Sequence, residues 1–163
     1  MPAGSTYTPI ATTTLGSAAV SVTFSSVPST YTDLVLVLNG TTPSAIGIGL
    51  RFNSDSGTNY SNTFLAGNGT AASSGRASNF TMGRFGNINT SNTTAIAQIQ
   101  NYSNTTTFKT TLGRAATPAD FVVAYVNLWR NTAAINNIVV ITDNSSTQFQ
   151  TGTTFTLYGI ASA

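Results

Sequence analysis

Residues 121–130 read FVVAYVNLWR, and this stretch decides the fold class. It is long, β-branched and aromatic, which is the composition that strands favour. INNIVVIT at 135–142 and TTFTLYGI at 153–160 follow it, each after a short polar break. Because such runs bounded by turn residues are typical of strands, the last quarter of the chain is predicted to form three of them.

The same kind of pattern continues towards the N-terminus. Residues 19–24 (AVSVTF) alternate apolar and polar, as a half-buried strand does. Residues 33–38 (DLVLVL) are apolar after the aspartate, which suits a strand buried on both faces, and residues 39–40 are predicted to close it as a turn. Residues 46–52 alternate again, and Gly47 and Gly49 within them indicate a bulge or a close backbone approach.

Weaker strands are expected at 59–65, 79–85, 94–100 and 108–114. One helical turn at 117–120 is the most helix that the pattern allows. Eight to ten short strands predict an all-β sandwich or barrel, formed by a single domain over residues 1–163 with a short N-terminal arm of about residues 1–10. Residues 66–78 (AGNGTAASSGRAS) have no periodicity and are predicted to be a long exposed loop, with a contact arm as its functional alternative.

The chain contains few side chains that could take part in catalysis or bind a metal ion. Charged residues make up 6% of it, and it contains no His, no Cys and no Glu. A Ser/His/Asp or Cys/His triad cannot be assembled without His, and thiolate sites and disulfides require Cys. We therefore expect no enzyme and assign no catalytic, metal-binding or cofactor-binding residue, while the interface residues stay unknown.

The four aspartates, which are Asp33, Asp55, Asp120 and Asp143, all lie beside a strand end or a turn. Aspartate at such places commonly caps its own backbone, so we expect structural roles for them. Residues 53–59 (NSDSGTN) alternate oxygen-bearing side chains around a glycine, as a calcium loop does. They lack its acidic cluster and its terminal Glu, so a tight polar turn is the better prediction.

The basic residues are scattered along the chain as Arg51, Arg76, Arg84, Lys109, Arg114 and Arg130. A nucleic-acid-binding protein concentrates such residues on one stripe, so no nucleic-acid partner is expected. The N-terminus has no basic and apolar leader pattern, and no apolar run has the length needed to cross a bilayer. We expect a soluble chain that is synthesised in a cytoplasm and has no membrane partner.

Two pairs of segments carry a family resemblance. TTTLGSAAVSVTFSSVPSTYTDLVLVLNG (12–40) continues to LRFNSDSGTNYS (50–61), and YVNLWRNTAAINNIVVI (125–141) leads to FQTGTTFTLYGI (149–160). Together they resemble small jelly-roll virion proteins of tailed bacteriophages, in which a GTxFxLYG-type strand closes the sandwich. The resemblance spans most of the chain and is weakest across residues 67–92.

The resemblance implies an antiparallel β-sandwich of jelly-roll type that decorates a virion. It implies a capsid decoration (cement) protein on the capsid surface, a homotrimer that stabilises the icosahedral shell at capsomer junctions, with the major capsid protein as partner. The alternative is a tail-fibre or receptor-binding tip that recognises a host surface glycan through an exposed aromatic residue such as Tyr60 or Tyr102. Trp129 and Tyr158 are expected in core or inter-subunit packing, because they lie in the strongest strands.

Overall fold

The computed structural model describes residues 6–118, 121–144 and 146–161. Within these ranges the chain forms twelve strands and no helix. The strands are β1 (Tyr7–Thr14), β2 (Ser21–Phe24), β3 (Asp33–Gly40), β4 (Ile46–Phe52), β5 (Tyr60–Gly67), β6 (Ala72–Phe80), β7 (Gly83–Ile88), β8 (Thr93–Ile99), β9 (Lys109–Ala116), β10 (Val122–Trp129), β11 (Ile138–Thr142) and β12 (Thr154–Ile160). The helical turn predicted at 117–120 falls partly outside the described residues.

The strands form two sheets in which every pairing is antiparallel. The large sheet has the order β1-β12-β3-β8-β9-β10-β5-β6, and the small sheet has the order β2-β11-β4-β7. The predicted all-β antiparallel sandwich is therefore confirmed. The number of strands exceeds the expected eight to ten, because two strands lie in segments for which we predicted none.

Both of these strands are edges of the large sheet. β1 occupies residues 7–14, so most of the predicted N-terminal arm that the structure describes is a strand paired with β12, while residues 1–5 lie outside the described part. β6 begins inside the predicted loop 66–78 and pairs with β5. An edge strand with solvent on most of its side chains needs no apolar alternation, so the composition gave no strand pattern in either place.

Two further predictions about turns need correction. Asn39 and Gly40 do not close a turn but continue β3, where they pair with Thr94 and Thr93 of β8. The predicted strand at 79–85 is divided, because the chain bends at residues 81–82 between β6 and β7. Just before the bend, Asn79 adopts a φ of 62° where the pairing of β6 with β5 shifts register, and left-handed backbone suits Asn better than most residues.

The glycines of β4 mark both a bulge and a close approach, as predicted. The pairing of β4 with β7 shifts register between Ile48 and Gly49. A side chain at Gly47 would collide with the carboxylate of Asp143, and one at Gly49 would collide with the side chain of Met82. A larger residue at either position would therefore force the side chain of Asp143 or of Met82 to move.

The hydrophobic core contains a group of large aromatic rings. The ring of Trp129 lies 5.5 Å from that of Phe52 and 6.3 Å from that of Tyr60, measured between ring centroids, and all three side chains are buried. Along β10 the buried side chains alternate with side chains that point away from the core. We call the core side of the large sheet its inner face and the opposite side its outer face.

Candidate binding surfaces

Asp55 organises the turn at residues 53–59. Its carboxylate accepts hydrogen bonds from Trp129 Nε1 at 2.7 Å, from the backbone N–H of Gly57 at 2.8 Å and from Asn59 Nδ2 at 2.9 Å. Burial raises the pKa of Asp55, but these three hydrogen bonds outweigh it, and the pKa lies below its ordinary value. The predicted tight polar turn is confirmed, and its aspartate ties the turn to the core tryptophan.

Two other aspartates also have structural partners. Asp33 accepts a hydrogen bond from the backbone N–H of Asn101 at 2.7 Å. Asp143 forms an ion pair with Arg84, which joins the end of β11 to β7. Asp120 lies outside the described residues. Within the described part of the chain, no three His, Cys, Asp or Glu side chains come together where they could hold a metal ion.

The two tyrosines that were expected to be exposed are buried. Tyr60 and Tyr102 are both 0% exposed, so neither can stack on a sugar at the surface. The hydroxyl of Tyr60 accepts a hydrogen bond from the backbone N–H of Phe52 at 2.9 Å, and that of Tyr102 donates to the carbonyl of Pro28. A tyrosine hydroxyl that has such hydrogen-bond partners can be buried. The polar residues next to these tyrosines in the sequence gave no indication of burial.

Trp129 and Tyr158 were expected in core or inter-subunit packing. This expectation is confirmed for Trp129, whereas for Tyr158 the structure shows packing between two strands of one chain. Trp129 belongs to the core. Tyr158 is half-buried and packs edge-on against Tyr7, with 6.2 Å between the ring centroids. It therefore joins the two strands β1 and β12 at one edge of the large sheet.

Lys109 is buried, and no carboxylate of the described residues pairs with it. Its side chain amine donates hydrogen bonds to the carbonyls of Thr107 at 2.8 Å and Thr132 at 2.9 Å, and the residue is 1% exposed. Burial lowers the pKa of Lys109, because removing an ammonium from water disfavours the charged form. The two carbonyls compensate part of that cost, and their hydrogen bonds hold the Lys109 side chain between the loops that contain Thr107 and Thr132.

The outer face of the large sheet carries an exposed apolar surface. We define the outer-face patch by the outer side chains of β5, β8, β9 and β10, namely Leu65, Ile96, Leu112, Arg114, Val122, Ala124 and Val126. Four of the six large hydrophobic side chains that are exposed in the described chain belong to it. Leu65 is 66% exposed, Val122 59% and Val126 56%.

Strand register makes this patch continuous. Ala124 lies opposite Leu65 on one side and opposite Arg114 on the other, and Arg114 lies opposite Ile96. Between these strands there is a shallow depression of about 580 Å³. Contiguous exposed apolar surface of this kind marks interaction sites in soluble proteins.

A second concavity lies on the inner face, between the hairpin β5–β6 and the edge strand β7. We call it the inner groove; it has a volume of about 440 Å³ and its lining includes Phe64, Arg84, Asn87, Phe121 and Tyr125. The hydroxyl of Tyr125 donates to Asn87 Oδ1 at 3.2 Å, which holds the amide against the aromatic floor. The groove thus combines rings with neutral and cationic donors.

Sequence reasoning did not identify either surface. Residues 121–130 are apolar on both faces of the strand, and this was the available signal for the outer-face patch. The described chain covers only the inner side of this strand, so its outer apolar side chains are left exposed. The inner groove depends on the placement of β6, which was predicted to be a loop.

No protein-family model, curated protein or solved structure matches the chain. In the described residues, no helix has the length and apolar character required to span a bilayer. The two surfaces above are therefore the basis for assigning a function.

Proposed function

We propose that the protein is a structural component of a phage virion, a decoration (cement) protein that stabilises the icosahedral shell at capsomer junctions. The observation that carries the proposal is the outer-face patch, an exposed apolar surface on the large sheet. A protein that works by adding interface area needs such a surface, because burying it stabilises whatever the protein bridges. The remaining expectations, a homotrimer located on the capsid surface with the major capsid protein as partner, belong to the same proposal.

Strand order supports the jelly-roll topology that this proposal includes. If the hairpins β5–β6 and β9–β10 are set aside, eight strands remain in the orders β1-β12-β3-β8 and β2-β11-β4-β7. Each sheet then interleaves strands from the two ends of the chain, as an eight-stranded jelly roll with two Greek keys does. Both set-aside hairpins extend the large sheet, and three of their four strands contribute to the outer-face patch.

Surface chemistry also supports a role in a permanent assembly. Exposed positions in the strands carry Thr, Ser and Asn far more often than charges, as in β6 with the sequence ASSGRASNF. Contacts built from hydroxyls, amides and methyl groups depend weakly on ionic strength, whereas contacts between charges are screened by salt. Such a surface suits a particle that meets changing ionic surroundings.

The proposal is tested by adding the purified protein to virus shells that lack it. We expect it to sediment with the shells at both low and high ionic strength, and we expect shells without it to lose their DNA at a lower temperature. A map of the intact particle should show it on the shell. Finding it only on the tail would contradict the proposal.

The inner groove favours a second candidate, a tail-fibre or receptor-binding tip that binds a host surface glycan. Sugars are held by aromatic faces and by amide or guanidinium hydrogen bonds, and Phe121, Asn87 and Arg84 supply these groups there. We expect Asn87→Ala to abolish binding to host cells if this function is correct. Gln98→Ala, which changes an amide on the outer face, serves as the control. Equal binding by the two variants and the unmodified protein would contradict the second candidate.

A further inference from the structure

Arg114 lies at the centre of the outer-face patch. It is exposed in the middle of β9, between Ala124 of β10 and Ile96 of β8 in the register of the sheet. Within the described part of the chain its guanidinium has no hydrogen-bond or ion-pair partner, in contrast to Arg84, which pairs with Asp143. The patch is thus an aliphatic surface with one unpaired cation inside it.

This arrangement specifies the chemistry of a partner. A protein surface that covered the patch with apolar groups alone would remove the guanidinium from water without compensation, which is costly. A carboxylate placed opposite the guanidinium would form a bidentate pair, and the surrounding Leu65, Val122 and Val126 would exclude water from it. The occupant therefore needs an Asp or Glu set among aliphatic side chains.

We propose that the outer-face patch docks a different protein chain that presents such a carboxylate. This inference rests on the proposed function, within which the docked chain is the major capsid protein. It adds which face of the sandwich is turned towards the shell and which residue sets the register of the contact. Under this arrangement the aliphatic side chains around Arg114 supply the buried area, and the pairing of Arg114 with the carboxylate fixes where the partner sits on the patch.

A second copy of this chain fits the patch less well. The chain has no Glu, and its three described aspartates already accept hydrogen bonds within their own molecule. A two-fold contact through the patch centre would also bring two Arg114 side chains together, which is unfavourable. Charge complementarity consequently favours a partner of different sequence.

Shell binding by charge-reversed variants tests the docking face. We expect Arg114→Glu to weaken binding to shells that lack the protein by at least about 30-fold, because a like charge would be buried against the partner carboxylate. Arg76→Glu is the matched control, since it makes the same charge change at the margin of the outer face, on the edge strand β6 opposite Thr63 and outside the patch residues. We expect it to change the affinity by less than about fivefold.

Zero-length coupling identifies the carboxylate directly. Lys109 is the single lysine of the sequence and is buried, so Arg114→Lys creates a unique exposed lysine amine at the patch centre. Treating the complex of this variant with a carbodiimide should join that amine to an Asp or Glu of the shell protein, which mass spectrometry of the joined peptides would locate. The unmodified protein, treated in the same way, is the control.

The outcomes separate the docking face from the function. If the unmodified protein binds shells but Arg114→Glu behaves like Arg76→Glu, the inference is wrong and the proposed function stands. Coupling of the Arg114→Lys variant to a second copy would also overturn it, because the patch would then be an interface between like subunits. If the unmodified protein does not bind shells at all, the proposed function fails together with its docking face.

Discussion

The two faces of the hairpin β9–β10 depart from the usual distribution, in which polar residues are exposed and aliphatic residues are buried. On the inner face, Lys109, Thr111 and Asn127 are buried. On the outer face, the larger side chains include Leu112, Val122 and Val126, and these are exposed. Water thus meets several aliphatic side chains of this hairpin, while the sandwich encloses three of its polar side chains beside core residues such as Val123 and Trp129.

This distribution is tolerated because hydrogen bonds compensate the buried polar groups, while the exposed aliphatic groups are not needed to stabilise the fold. Most inner polar groups find partners inside the fold. Asn127 Nδ2 donates to Thr111 Oγ1 at 2.8 Å and to the carbonyl of Arg84 at 2.6 Å, whereas Asn127 Oδ1 accepts no hydrogen bond within the described residues. A buried polar group with a hydrogen bond costs little, whereas one without a partner costs a great deal. The outer aliphatic groups contribute little to the stability of the free protein, so the comparison separates residues that hold the fold from residues that remain for binding.

The largest effect is expected at Trp129 on the inner face. Trp129→Ala should lower the free energy of unfolding by about 3–5 kcal/mol, because it empties the aromatic core beside Phe52 and Tyr60. Urea unfolding followed by circular dichroism measures the loss. Tryptophan fluorescence is unsuitable, because the variant lacks the only tryptophan of the chain. Trp129→Phe keeps a ring but removes the hydrogen bond to Asp55, and a loss as large as that of the alanine variant would show that packing matters less than we infer.

Asn127→Ala should lower the free energy of unfolding by about 1–3 kcal/mol. It leaves Thr111 Oγ1 and the carbonyl of Arg84 without this donor in a buried place. Thr63→Ala, on the exposed outer side of β5 opposite Val126, should change the free energy of unfolding by less than about 0.5 kcal/mol. Equal losses at the two positions would remove the distinction between the faces.

Lys109 is expected to give the stability a dependence on alkaline pH. Its folded-state pKa lies below its ordinary value of 10.5, so between the two values the unfolded chain binds more protons than the folded chain. The free energy of unfolding therefore rises with pH in the range just below 10.5. Lys109→Met should remove this rise, which denaturant titrations at a series of pH values would measure.

The same titrations contain an opposing contribution. Burial raises the pKa of Tyr60 and that of Tyr102 above the ordinary value of 10.0, so the unfolded chain loses these protons first and the stability falls above that pH. This fall should appear in the unmodified protein and in Lys109→Met alike. If the two proteins have the same profile below pH 10.0, the assignment of the rise to Lys109 is wrong.

The smallest effect is expected for Val126→Thr on the outer face. It should change the free energy of unfolding of the free protein by less than about 0.5 kcal/mol, because the side chain is exposed. Val123→Thr makes the same exchange on the inner face of the same strand and should cost about 1–3 kcal/mol, because it buries a hydroxyl. Thermal unfolding of the pair measures the difference, and a reversed order would contradict the assignment of the faces.

Runs of apolar, β-branched and aromatic residues predicted the central strands well, but they could not predict how each face is used. DLVLVL at 33–38 and FVVAYVNLWR at 121–130 form strands because β-branched and apolar residues pack on a pleated surface. The same pattern gave no indication of β6, whose ASSGRASNF sequence has no apolar alternation and is held as an edge strand by its pairing with β5.

The exposure of single residues was harder to predict than the strands. Tyr60 lies between Asn59 and Ser61, which suggested a surface position, yet strand alternation and a hydrogen bond from Phe52 place it in the core. Lys109 is buried because two loop carbonyls meet at its amine, and residues far apart in the sequence supply them. Such placements depend on tertiary contacts, which local patterns do not contain.

The position of β12 between β1 and β3 has a consequence for how the molecule folds. Tyr7 pairs with Ile160, and Asp33 also pairs with Ile160, so the first and third strands meet only through the last one. During synthesis the N-terminal strands must wait for the C-terminal strand before this part of the sheet can close. Pairing across so long a separation is slow, which predicts folding in milliseconds to seconds. Until β12 arrives, β1 and β3 offer open edges to other chains, so aggregation during synthesis competes with completion of the sheet.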